Sequence, residues 1–170
     1  MSTDANEHLN DWLRDAHAME KQAHTMLDSL ASRLEHYPDL RSYLTQHREA
    51  THGQRDQLEA CLKRRGSSVS ALKDIGARLA AFGQELSGML VSDEVVKGAM
   101  SCYVFKQMEI ASYTVLVAAA DAAGDQETKT VCAQILQQER QMAAWLLEHL
   151  PAITTAFLAR AATPGAKAKV

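Results

Sequence analysis

Residues 13–27 read LRDAHAMEKQAHTML. Leu13, Ala16, Ala23 and Leu27 fall on one face of a helix, and Glu20 stands in the middle of that face. The pattern returns twice further along. Cys102, Ile110, Tyr113 and Val117 surround Glu109, and Cys132, Ile135, Met142 and Leu146 flank Glu139. Burying an unpaired carboxylate is costly, so such groups are normally paired or bound to a metal. Inward glutamates from several helices of one bundle are the raw material of a dinuclear iron or manganese site.

Around these three glutamates the periodicity predicts four long helices. The first stripe extends through Leu9, Leu30 and Leu34, giving a helix from about Asn6 to Glu35. A second helix is expected from Pro38 to about Arg65, with Pro38 suited to a first turn and Gly66 to the end. A short helix over Ser70 to Leu86, weakened by Gly76 and Gly83, is expected within the following connection. Ser92-Asp93-Glu94 signals the start of a third long helix, which stops at Gly124-Asp125. The fourth is expected from Gln126 to Leu150, where Pro151 breaks or kinks it and Ile153 to Ala161 continue for a turn or two. Two hairpins joined by one long crossover match an all-α, ferritin-like four-helix bundle. Residues 1–163 are expected to form this single domain and 164–170 a flexible tail.

The composition agrees. The chain has 170 residues, 46% hydrophobic and only 5% aromatic, a length that suits one domain with a substantial core. No uninterrupted apolar run of membrane-spanning length is present, and the acidic start lacks a signal-peptide pattern, so a cytoplasmic location and no membrane partner are expected. A net charge of −3 offers no basic field for nucleic acid. The three cysteines, Cys61, Cys102 and Cys132, include no CxxC pair, so buried reduced thiols are expected rather than disulfides or structural zinc.

Which other polar groups face inward bears on metal binding. The string Glu49-Ala50-Thr51-His52 resembles the Glu-x-x-His of dinuclear sites. On a helical wheel, however, Glu49 and His52 point away from the apolar seam that His47, Thr51 and Gln54 share. His47 is therefore the candidate ligand on the second helix. His24 sits at the edge of its stripe, and His8, His17, His36 and His149 read as surface or terminal residues. Lys106 lies one turn before Glu109 and one turn after Cys102. Two readings stand open for it: its long stem carries the ammonium out to water, or the ammonium sits among Glu20, Glu109 and Glu139 and supplies positive charge there. Three residues after Glu139, where a ligating histidine might be sought, stands Met142, which reads as core packing.

The blocks DWLRDAHAMEKQA (11–23), SDEVVKG (92–98), YVF (103–105), EIASY (109–113) and QMAAW (141–145) resemble the bacterial YciE/YciF family of ferritin-like, rubrerythrin-related stress proteins. The resemblance runs from about Leu9 to Arg160. It implies a ferritin-like bundle, a homodimer and a cytoplasmic role in stress, and it leaves the biochemical activity open. By the same resemblance Glu20, Glu109 and Glu139 match the carboxylates of the family's metal centre, and His47, Thr51 and Gln54 match a pattern His-x-x-Glu-Thr-x-x-Gln. The chain departs from its relatives at Ala50 and Lys106, both of which are usually glutamate. The metal set expected is thus Glu20, His47, Glu109 and Glu139, beside a core polar cluster of Lys106, Gln54, Thr51 and Tyr113. Two carboxylates lost and one cation gained leave iron or manganese weakly bound or absent, because hard divalent ions need several oxygen ligands. The function expected is a dimeric structural or interaction module with a degenerate centre. The alternative is an iron or manganese oxidoreductase handling peroxide or dioxygen. No catalytic residue is named, and neither a basic arm nor cage-forming contacts speak for iron storage or DNA protection.

Overall fold

The computed structural model describes residues 3–69 and 94–168. Four helices fill them: α1 (Thr3–Arg33), α2 (Pro38–Arg64), α3 (Glu94–Ala122) and α4 (Gln126–Ala161). The short helix expected over 70–86 and the Ser92-Asp93 start signal lie outside the described residues. α1 begins three residues earlier than expected, and the other boundaries fall within about two residues of the sequence reading.

Every pair of neighbouring helices is antiparallel. Asp28 of α1 pairs with Arg48 of α2, Leu30 of α1 touches Gly98 of α3, and Glu139 of α4 reaches Lys106 of α3 and Gln54 of α2. α2 thus ends, and α3 begins, at opposite ends of the bundle, as a crossover connection requires. At Gly98 α3 packs tightly on α1, since a Cβ there would stand 2.7 Å from Leu30 Cδ1. Gly66 and Gly124, with φ of +70° and +72°, close α2 and α3 in the left-handed conformation that glycine adopts without cost.

The apolar core is split in two. One cluster holds Leu9, Leu13, Leu58, Leu62, Leu116 and Ile135 at the end where α1 starts. The other holds Leu27, Leu34, Leu44, Val95, Met142 and Leu146 at the opposite end. Buried polar side chains occupy the level between them: Glu20, Thr51, Gln54, Lys106, Glu109 and Glu139. The three cysteines are buried and free.

Pro151 does not interrupt α4, which runs through it to Ala161. The amide it lacks would have bonded the Leu147 carbonyl, and Leu147 and Pro151 both lie on the exposed face, where that oxygen is open to solvent. Residues 167 and 168, within the tail expected to be flexible, lie against the bundle. Arg160 Nε donates to the Lys167 carbonyl at 2.9 Å, and the Tyr37 hydroxyl donates to the Ala168 carbonyl. Among the described residues α4 alone is long and apolar enough to cross a membrane by length and composition, with mean hydropathy 1.3 over one window and 22% of that window buried. The sequence reading sought an unbroken apolar run, and this window is broken by polar residues. Core helices pass the same test, and α4 contributes Cys132, Ile135, Met142 and Leu146 to the core.

Asp125 fastens the end of the bundle where α2 stops. It caps α4 by accepting from the Thr128 amide at 3.0 Å and the Thr128 hydroxyl at 2.8 Å. It also accepts from Arg64 at 2.7 Å and from Arg65 at 2.6 Å, and Arg65 reaches Asn10 of α1 at 2.6 Å. Burial alone would push the Asp125 carboxyl up, but these hydrogen bonds outweigh it and hold it below 3.8. Asp125→Ala should lower stability by about 2 kcal/mol at pH 7, read from urea midpoints. A depressed native pKa gives stability that is present above the unfolded value and lost as pH falls through the native one. The gap between wild type and variant should therefore narrow below about pH 4, and a gap unchanged down to pH 2 would contradict the assignment.

Candidate functional site

Four helices each deliver polar side chains to the middle layer, because each places one or more polar residues within a largely apolar stripe. Glu20 comes from α1, Gln54 from α2, Lys106 and Glu109 from α3, and Glu139 from α4. All are nearly or fully buried, and Lys106 is 1% exposed. The open question about Lys106 is thereby resolved: its stem does not reach water. Its Nζ lies 2.6 Å from Glu109 Oε2 and 2.7 Å from Glu139 Oε2.

The remaining partners orient the carboxylates. The Tyr113 hydroxyl donates to Glu20 Oε1 at 2.5 Å. Gln54 Nε2 donates to Glu139 Oε1 at 2.7 Å and to Gln138 Oε1 at 2.9 Å. One oxygen from each of Glu20, Glu109 and Glu139 lies within 4.8 Å of the others. Glu20 Oε2 and Glu109 Oε1 have no hydrogen-bond partner among the described residues.

Three carboxylates so close in an apolar core cannot all stay ionised cheaply. Burial, reinforced by Glu139, pushes Glu20 up to about 8 against the opposing pull of Lys106 and Tyr113. Burial, with Glu139 and Glu20 adding to it, also raises Glu109 above the usual carboxylate range despite Lys106. For Lys106 burial acts downward, but Glu109, Glu139 and Glu20 prevail and hold the ammonium above its ordinary value. The lysine stays charged, and protons take up the surplus negative charge.

His47 does not join the three glutamates. Its ring lies against Tyr43, with centroids 4.4 Å apart. Burial, aided by the positive charge of Lys106 and opposed by Glu139, lowers it to about 4, so its imidazole is neutral at pH 7. The Thr51 hydroxyl is spent on the His47 carbonyl at 3.0 Å, so Thr51 lines the layer without bonding to the carboxylates. Glu49 and His52 are solvent-exposed, as the wheel indicates. His149 is half-buried rather than a surface residue, because its ring stacks on Trp145 at 3.9 Å and Trp145 stacks on Tyr43 at 3.6 Å. The spacing of four within Tyr43/His47 and within Trp145/His149 was the available signal for this stack. Gln138, which steadies Gln54, left no comparable trace.

This donor set does not fit two divalent ions. Such ions each require about six oxygen-rich contacts, whereas Ala50 offers none and an ammonium stands at hydrogen-bond distance from two of the three carboxylates.

A family model described as "Domain of unknown function (DUF892)" matches residues 4–159. A crystal structure of a protein from Xanthomonas campestris pv. campestris is similar at TM-score 0.80 and 42% identity, over 94% of this chain and 99% of that one. The Escherichia coli stress protein YciF is similar at TM-score 0.77 and 20% identity, over 88% of this chain and 96% of that one. YcfI from Rhodopseudomonas palustris is similar at TM-score 0.74 and 23% identity, over 86% and 96%. These neighbours are consistent with the YciE/YciF family and with a ferritin-like helical bundle.

Lys106→Met should cost about 3 kcal/mol at pH 7, since it leaves buried carboxylates without their cation. Equal urea midpoints for the variant and wild type at pH 7 would count against the buried pair. Glu20 has the opposite pH signature from Asp125. Its raised native pKa gives stability that is fully present below 4.5 and lost as pH rises towards about 8. Glu20→Gln should flatten that decline in urea midpoints between pH 5 and pH 8.

Proposed function

The chain belongs to the DUF892 family, and we propose that it is a ferritin-like stress-response protein whose dinuclear centre is degenerate, with the Lys106 ammonium in place of metal charge. In this reading it acts in the cytoplasm as a dimeric structural or interaction module, and its polar layer fixes helix register. The observation that carries it is the position of Lys106 Nζ, 2.6 and 2.7 Å from two of the three clustered carboxylates. The link to stress rests on the similarity to YciF, which is described as a stress protein.

A second reading has its own support. The three glutamates offer oxygens within 4.8 Å of one another, and two of those side chains retain an oxygen without a hydrogen-bond partner among the described residues. If Lys106 turned aside, Glu20, Glu109 and Glu139 would hold one iron or manganese ion, and the chain would act on peroxide or dioxygen as an oxidoreductase. Metal content separates the two. After anaerobic incubation with ferrous iron, or with manganese, and desalting, elemental analysis of the wild type should find well under one ion per chain. Lys106→Glu combined with Ala50→Glu should raise that towards two. One or two tightly held ions per chain in the wild type would overturn the first reading, and no gain in the double variant would count against the position of the site.

A further inference from the structure

Between Lys97 and Asp121 the outer face of α3 carries no charge. The only charged residues there are Lys106 and Glu109, and both are buried. Apart from Thr114, the exposed positions of this stretch follow one line along the helix. The line starts at Met100 and Val104, runs on at steps of three or four, and continues to Ala122. Met100 is 51% exposed, and Val104 and Val115 are 48% exposed. A helix that is apolar on every side is normally covered on every side.

The geometry points to this face as the contact between two copies of the chain, an antiparallel α3–α3 pair about a two-fold axis at Ala111. The line is symmetric about that residue. The axis sets Met100 against Ala122, Val104 against Ala118 and Gln107 against Val115, while Ala111 meets its own copy. The outer two pairs match a large side chain with a small one, as a self-complementary interface requires. The residue at the axis is small enough to let the backbones approach. From Met100 to Ala122 the line is about 33 Å long.

The connection leaving α2 starts on another side. Arg14 of α1 donates to Ser67 at 2.6 Å, and Val69 packs on the cluster that contains Leu9 and Leu13. The chain therefore leaves the bundle end beside α1, whereas the Met100–Ala122 line faces away from the core.

This inference deepens the dimeric reading above and rests on it. Sedimentation equilibrium of the full chain should give a dimer, twice the 18.7 kDa of one chain. Val104→Glu, a change at an exposed position, should weaken that dimer at least about thirtyfold without loss of helicity. Ala111→Cys should yield a disulfide-linked dimer under diamide, whereas Glu59→Cys, exposed on α2, should not. A dimer that survives Val104→Glu and is not cross-linked through Ala111→Cys would overturn the face while leaving the dimeric reading standing. A monomeric wild type would overturn both, and if the Ala111→Cys thiol were also inert to a bulky reagent the face would belong to residues 70–93. Metal content of Val104→Glu reports on the centre independently of either outcome.

Discussion

The pairing of Lys106 with Glu109 and Glu139 is the constraint on which the rest of the bundle depends. An ammonium and two carboxylates withdrawn from water are tolerable only while they stay in contact, because removing one partner strands a buried charge. Contact at 2.6 and 2.7 Å allows little sliding between α3 and α4. The same layer extends outward. Gln54 ties Glu139 to α2, and Tyr113 ties Glu20 of α1 to α3. Three of the four helix–helix seams are thus set in register at one level. The fourth, between α1 and α2, is held by Arg48 on Asp28 and, just past the end of α2, by Arg14 on Ser67 and Arg65 on Asn10.

Much of this was legible because helical periodicity reports which face is buried. Leu9 to Leu34, Leu40 to Cys61 and Cys132 to Leu146 are the stripes that the core uses, and the three interrupting glutamates are buried where the sequence puts them. The wheel also separated Gln54, which reaches Glu139, from Glu49 and His52, which face water. What stayed hidden depends on partners rather than on phase. Periodicity brings His47 to the seam, but its choice of Tyr43 over the carboxylates is made by rings that meet only in three dimensions. Pro151 reads as a helix breaker in any local rule. Its cost falls away only because its side of α4 is exposed, and exposure is a tertiary property. The role of Asp125 as both cap and arginine anchor likewise needs residues some sixty positions away.

In the reading proposed above the ammonium stands in for a metal pair, and it is a weaker substitute than its position suggests. Two divalent ions bring four positive charges, and a lysine brings one. The protein makes up the difference with protons, and the raised values of Glu20 and Glu109 are the consequence. The charge balance of the layer therefore depends on pH. Apolar residues of similar volume would be no less stable in such a layer. A buried polar layer has one property that a greasy one lacks: a slip of one residue between helices leaves charges unpaired, so alternative registers are penalised far more than the native one is stabilised.

α3 shows what that choice does to a helix. Its two charges over residues 98–120 lie inside, and methionine, valine and alanine lie outside, the reverse of an ordinary amphipathic helix. A reading that turned charges towards water would rotate α3 by about half a turn. Cys102, Phe105, Tyr113 and Leu116 prevent it, because they fill the two apolar clusters on either side of the layer only in the observed orientation. The inversion links the two unusual faces of the helix. Committing the charges of α3 to the core leaves its outer surface with only apolar and small residues and a few uncharged polar ones, and a surface of that kind is stable in water chiefly when something covers it.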